Sequence, residues 1–217
     1  MTRSHFLKIS TFNIEFYIFG CTFTVSFPFL TIITVLLLVD ENGTMIYGVL
    51  AALIHELGHI FAMIIKKSKP KKISFRAFDI NIVDNNRIKR SYSDDIFILI
   101  AGPLSNIVFC IVLYFTYKLT GFLWLIRPMY ENIFIAIFNI LPIDTLDGGQ
   151  ILFNLLSRRL SIKTAIKFTL LISFMVLLPV SALGFYVLII SKYNFSLLFL
   201  SCYLMAILLL KNKSCYY

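Results

Sequence analysis

A succession of apolar runs, each close to the roughly 20 residues a helix needs to cross a bilayer, dominates this chain and limits what it can become. In lipid every backbone polar group must find its partner within the protein, so such runs are confined to packed helices. Composition agrees: 59% of the 217 residues are hydrophobic and the mean hydropathy is +0.87, well above a soluble domain of this length. The expected fold is an all-α polytopic membrane protein with about six transmembrane helices, organised as a single domain over residues 1–217.

The spans are predicted near 24–39, 45–65, 96–117, 122–141, 168–190 and 194–210. Asp40-Glu41-Asn42-Gly43 marks the turn between the first two. Residues 8–23 carry Ile, Phe, Tyr and Thr in loose alternation, which favours an extended or hairpin segment near the membrane surface. A second small β element is expected near 73–90, where short alternating runs such as Ile73–Ile82 precede a hairpin-like Asp84-Asn85-Asn86. Residues 142–157 read as a broken segment, punctuated by Pro142 and Gly148-Gly149. The N-terminus lacks the basic–apolar–small-residue order of a cleavable signal, so the chain is read as mature.

The net charge of +9 invites a nucleic-acid reading, but its placement argues for phospholipid headgroups instead. With both termini and the 66–95 and 156–167 loops assigned to the cytoplasm, 17 of the 20 Lys and Arg residues lie on that side; only Lys118, Arg127 and Lys192 do not. That skew fits the positive-inside rule and a multi-pass protein of the bacterial cell membrane with cytoplasmic N- and C-termini. Cys21, Cys110, Cys202 and Cys215 are isolated and form no C-x-x-C pair, so neither a disulfide framework nor a sulfur-rich zinc site is expected.

The second span holds His55-Glu56-Leu57-Gly58-His59. Positions four apart share a helix face, so His55 and His59 can bind one cation, and Glu56 beside them can take a proton from an activated water. Five residues alone are a weak signal. Their place in an otherwise apolar span strengthens it, because ionisable groups in a membrane are costly and usually functional. A structural cluster that braces the bundle is the plainer alternative. His5 is expected at the surface.

A catalytic zinc takes three protein ligands and leaves one position open. Beyond the basic loop only Glu131, Asp144 and Asp147 carry side-chain carboxylates. Asp147 is the expected ligand and Asp144 its competitor; spacing alone does not separate them. Asn139 offers an amide for a substrate backbone or oxyanion, or braces the break before Pro142. Gly58 has no side chain and admits a close approach by another backbone or a substrate.

Ile54-His-Glu-Leu-Gly-His59, Ile100-Ala-Gly-Pro-Leu104 and Asn139-Ile-Leu-Pro-Ile-Asp-Thr-Leu-Asp-Gly-Gly149 together resemble the site-2 protease family of intramembrane metalloproteases, over about residues 10–210. The resemblance implies that His55, His59 and Asp147 bind one Zn2+ ion, that Glu56 activates water, and that Asn139 lies near the substrate. It favours Asp147 over Asp144. Two departures stand out. Sporulation members of the family usually carry a C-terminal nucleotide-binding CBS domain, which is not expected here, and Gln150 stands where a basic residue often follows the glycines.

The implied activity is a zinc metalloendopeptidase acting on a membrane-associated protein or peptide, with a sporulation sigma-factor precursor, an anti-sigma factor and a signal-peptide remnant all compatible. The lipid bilayer is a partner, nucleic acid is not, and regulatory membrane partners fit but are not identified by any residue. The substrate must unwind locally, and the 8–23 or 66–95 segment is expected either to pair with it by strand addition or to anchor the bundle at the interface. A catalytically silent membrane scaffold or metal-dependent binding protein of the same fold is the second reading. A transporter is the third, but it needs a second broken helix that the sequence lacks.

Overall fold

The structure is a computed structural model and describes residues 8–10, 13–18, 21–40, 43–68, 70–76, 79–83, 90–192 and 196–214. His5, Cys215 and the Asp84-Asn85-Asn86 turn lie outside them. In chain order the elements are β1 (Lys8–Ser10), β2 (Asn13–Ile18), β3 (Cys21–Ser26), α1 (Phe27–Val39), α2 (Thr44–Ile65), β4 (Lys72–Arg76), β5 (Asp79–Val83), α3 (Tyr92–Thr120), α4 (Ile126–Ile140), α5 (Asp147–Ser157), α6 (Ile162–Ser191) and α7 (Ser196–Ser214). Two compact units divide the chain, residues 1–91 with 101–136, and residues 92–100 with 137–217.

In the first unit the two expected β elements prove to be one five-stranded sheet, ordered β1-β2-β3-β4-β5. Neighbours are antiparallel except β3 and β4, which run parallel in the register Thr22↔Lys72 through Val25↔Phe75. A parallel pair needs a long crossover, and α1 and α2 provide it. Phe16 and Phe23 stack across β2 and β3 with centroids 5.3 Å apart. Cys21 and Ile73 are buried, and desolvation pushes the Cys21 thiol above its ordinary value.

The first helix starts later than expected. The strand continues through Ser26, whose hydroxyl then accepts from the Phe29 amide while Pro28 occupies the first turn. Ser before Phe-Pro is a helix-start signal, and it leaves α1 with 13 residues. Asp40 caps the next helix from a distance: its carboxylate accepts from the Thr44 amide at 2.9 Å and the Met45 amide at 2.7 Å. Desolvation works to raise the pKa of Asp40, but these bonds outweigh it and hold the group below its ordinary value. The cap is therefore intact at neutral pH and is lost only as pH falls through that lowered value.

Among the described residues three helices are long and apolar enough to cross a membrane: α2, α3 and α6. At 22 residues, α2 is about 33 Å long. The other expected spans are helical but shorter: α1 has 13 residues, α4 has 15, and the apolar part of α7 is Leu197–Leu209. The surface carries the apolar residues, among them Leu38, Leu119, Leu123, Phe61 and Ile189, while Asn106, Asn132, Thr169, Ser173 and Ser201 are fully buried. A soluble monomer rarely exposes so much apolar surface. In lipid the same distribution is the stable one, because the polar groups must face each other.

In the second unit Ile143, Leu177, Leu204 and Leu208 form the buried core. Gly184 lets α6 meet the backbone of α7 at Leu198, where an added Cβ would lie 2.9 Å from its Cα. Small residues at such crossings are how membrane helices gain packing without a hydrophobic driving force.

Candidate metal centre

The buried face of α2 is made of Ala51, His55, His59, Ala62 and Met63, a spacing of three and four residues that follows the helical repeat. Both histidines are thus turned inward by the helix itself. Their rings stand at 85° with centroids 4.8 Å apart, and the two Nε2 atoms are separated by 3.1 Å. Two nitrogens on one tetrahedral ion, each about 2.0–2.1 Å from it, would lie about 3.3 Å apart. The pair is therefore set close to chelating geometry by α2 alone. Glu56 follows His55 on the same helix and is half-buried.

Close contact with α3 is built on missing side chains. A Cβ on Gly58 would collide with the Ala101 carbonyl oxygen and lie 2.6 Å from the Ser105 hydroxyl. A Cβ on Gly102 would collide with Cε1 and Nε2 of His59 and lie 2.9 Å from Cε1 of His55. The Gly58 expectation is met by a protein backbone, and Ala101-Gly102-Pro103 acquires a reason: the helix that backs the histidines has no room for a methyl group. The Ser105 hydroxyl lies 2.6 Å from the Gly102 carbonyl oxygen and 2.9 Å from that of Ile54, bracing the two helices.

Asn106 and Asn132 are the residues the sequence reading missed. Asn106 is fully buried, and its Oδ1 lies 3.0 Å from His55 Nδ1. Its amide nitrogen donates to the Ala51 carbonyl at 2.9 Å and to Asn132 Oδ1 at 2.9 Å, and Asn132 donates in turn to the Pro128 carbonyl at 2.8 Å. The signal was available, since Asn106 is the lone amide in the run 96–117 and Asn132 is one of two, with Asn139, in the run 122–141, both read as membrane-spanning.

Asp147 is the first residue of α5, where the helix dipole favours a carboxylate. The chain reaches it through a tight break. The Ile143 amide donates to Leu141 O at 2.7 Å and the Leu146 amide to Ile143 O at 2.7 Å. An added Cβ on Gly148 would strike the Ile140 carbonyl, and one on Gly149 the Ile143 carbonyl, so the glycines are what allow α5 to start against this break. Buried Ser173 of α6 holds the break from behind, accepting from the Asp144 amide at 2.9 Å. A Gly148→Ala protein is expected to lose about 1–3 kcal/mol or more, because the obstacle is backbone that cannot turn aside. Thermal unfolding in detergent measures it, and a melting temperature equal to the parent's would contradict this account.

His55, His59 and Asp147 form a group that could hold a metal ion, each offering one ligand atom within 4.8 Å of the others. The donor set suits the purpose: two imidazoles and one carboxylate are a familiar catalytic zinc set with a position left over. Among the described residues Asp144 belongs to no such group. Asn139, the penultimate residue of α4, is half-buried.

A sequence model described as peptidase family M50 matches residues 118–180. Stage IV sporulation protein FB of Bacillus subtilis (strain 168) is 30% identical over 69% of this chain. The match spans 56% of that relative's own length, little more than half. The site-2 protease from Methanocaldococcus jannaschii shares the fold, with a TM-score of 0.61 at 22% identity over 89% of this chain and 92% of that one. The chain carries a peptidase family M50 match over residues 118–180 and is similar to site-2 proteases in sequence and fold.

Proposed function

We propose that the chain is a zinc-dependent intramembrane endopeptidase that cuts a membrane-associated protein. The observation that carries this reading is the metal-capable trio of two helix-borne imidazoles and a carboxylate with Glu56 beside it. A bound zinc ion supplies Lewis-acid polarisation of the scissile carbonyl and makes a water acidic enough to attack at neutral pH. His55 and His59 as neutral imidazoles and Asp147 as a carboxylate would hold the ion. Glu56 takes the proton of the attacking water and returns it to the leaving amine nitrogen. The Asn139 amide hydrogen-bonds the substrate backbone and keeps the scissile peptide extended.

The substrate has to arrive as an extended strand, because a helix encloses its own carbonyl groups. Among the described residues the sheet has β1 at one edge and β5 at the other, and an edge strand presents unpaired backbone groups for strand addition. The distribution of Lys and Arg supports a bacterial cell-membrane protein with cytoplasmic termini. In that topology α1, α4 and α7 complete six crossings with help from their flanking residues. Likeness to a stage IV sporulation protein makes a sporulation sigma-factor precursor the first substrate to try, with regulatory membrane partners as a further class.

The test is metal content. The purified chain in detergent is expected to hold one zinc per molecule, Asp147→Ala to lose most of it, and Asp144→Ala to keep it. Loss in the Asp144 protein with retention in the Asp147 protein would sink the ligand assignment.

A further inference from the structure

The hydrogen bonds around Asn106 have only one self-consistent direction. Its amide nitrogen faces two acceptors, the Ala51 carbonyl and Asn132 Oδ1, at 2.9 Å each. Asn132 cannot turn its own amide around, because its nitrogen is already committed to the Pro128 carbonyl at 2.8 Å. Rotating the Asn106 amide would set its oxygen against two oxygens. Asn106 Oδ1 is therefore fixed as the atom facing His55 Nδ1 at 3.0 Å. An amide oxygen only accepts, so Nδ1 of His55 must carry the proton. The lone pair of that imidazole then lies on Nε2, the nitrogen 3.1 Å from His59 Nε2.

We infer that Asn106, held by Asn132, is a positioning residue that locks His55 in the Nδ1–H tautomer and so prepares Nε2 for the metal. The inference rests on the metallopeptidase reading and adds a role to a residue outside the ligand set. Burial makes the lock firm. Asn106 and Asn132 are 0% and 1% exposed, so no water competes for these bonds. Asn106 also reaches the Ala51 carbonyl one turn before His55 on α2, so the same amide fixes the ring and the helix that carries it.

Zinc retention in the full-length chain, measured by competition with a chelator in detergent, tests this without reference to cleavage. Asn106→Leu removes the acceptor and is expected to weaken retention by about 10–100-fold. Asn106→Asp gives up both amide anchors but sets a carboxylate oxygen, a stronger acceptor than the amide oxygen, against His55 Nδ1, so its retention should stay within about threefold of the parent's, although both variants melt earlier. A purely structural role would make the Asp protein lose metal as readily as the Leu protein, and that result overturns the inference. Parental retention in Asn106→Leu overturns it equally. Should the Leu protein not accumulate in folded form, Asn132→Leu takes its place. It releases one anchor of the Asn106 amide and is expected to cost about tenfold, with no change counting against the lock. A parent chain that retains no zinc would remove the metallopeptidase reading, and this inference with it.

Discussion

A Glu56→Gln protein is expected to keep its zinc and to lose cleavage of a co-expressed, tagged membrane substrate by about 10²–10⁴-fold. The amide is nearly isosteric with the carboxylate, so α2 and the buried face that bears His55 and His59 should be undisturbed. What disappears is a group able to accept a proton and return it. Position matters here: Glu56 is half-buried beside a buried histidine, where bulk water cannot simply replace it as a base. Zinc content is the internal control, since loss of both metal and cleavage would mean that Glu56 serves the metal site instead. Cleavage that persists at the parental rate in the zinc-loaded variant rules out the proposed base.

Gly102→Ala carries the second large effect. One methyl group there would overlap the His59 ring and crowd His55, so His59 has to rotate or α3 has to withdraw from α2. Either movement separates two nitrogens that now stand 3.1 Å apart. Zinc retention is expected to fall by at least about 10–100-fold, as for other disruptions of a ligand's support. Gly121→Ala is the matched control. Gly121 sits at φ +70° just past the end of α3 with open space around it, so an added Cβ costs about 1–2 kcal/mol of backbone strain and leaves the metal in place. Parental zinc retention in the Gly102→Ala protein would falsify the account of why the helix has a glycine there.

The helical, membrane-embedded character of the chain could be read from its apolar runs, because lipid leaves a chain few ways to satisfy its backbone. The His55–His59 pair could be read too, since a four-residue spacing fixes a shared helix face without reference to anything distant. Boundaries were less legible. The Ser26-Phe27-Pro28 cap was absorbed into an apolar run, and the two β segments looked separate because nothing local specifies a parallel pairing between strands 50 residues apart in register, Thr22 to Lys72.

Sequence by itself determined the chemistry on offer: two imidazoles and a carboxylic acid on one helix, and two candidate aspartates beyond a Pro-Gly-Gly break. Tertiary structure decided how closely α3 backs the two histidines, at Gly102, where no methyl group fits. It also decided that Asn106 points its oxygen at His55. The physical reason is that helix periodicity acts over four residues, whereas the meeting of Asn106 with His55, or of Gly148 with the Ile140 carbonyl, depends on packed backbones whose approach no local pattern encodes.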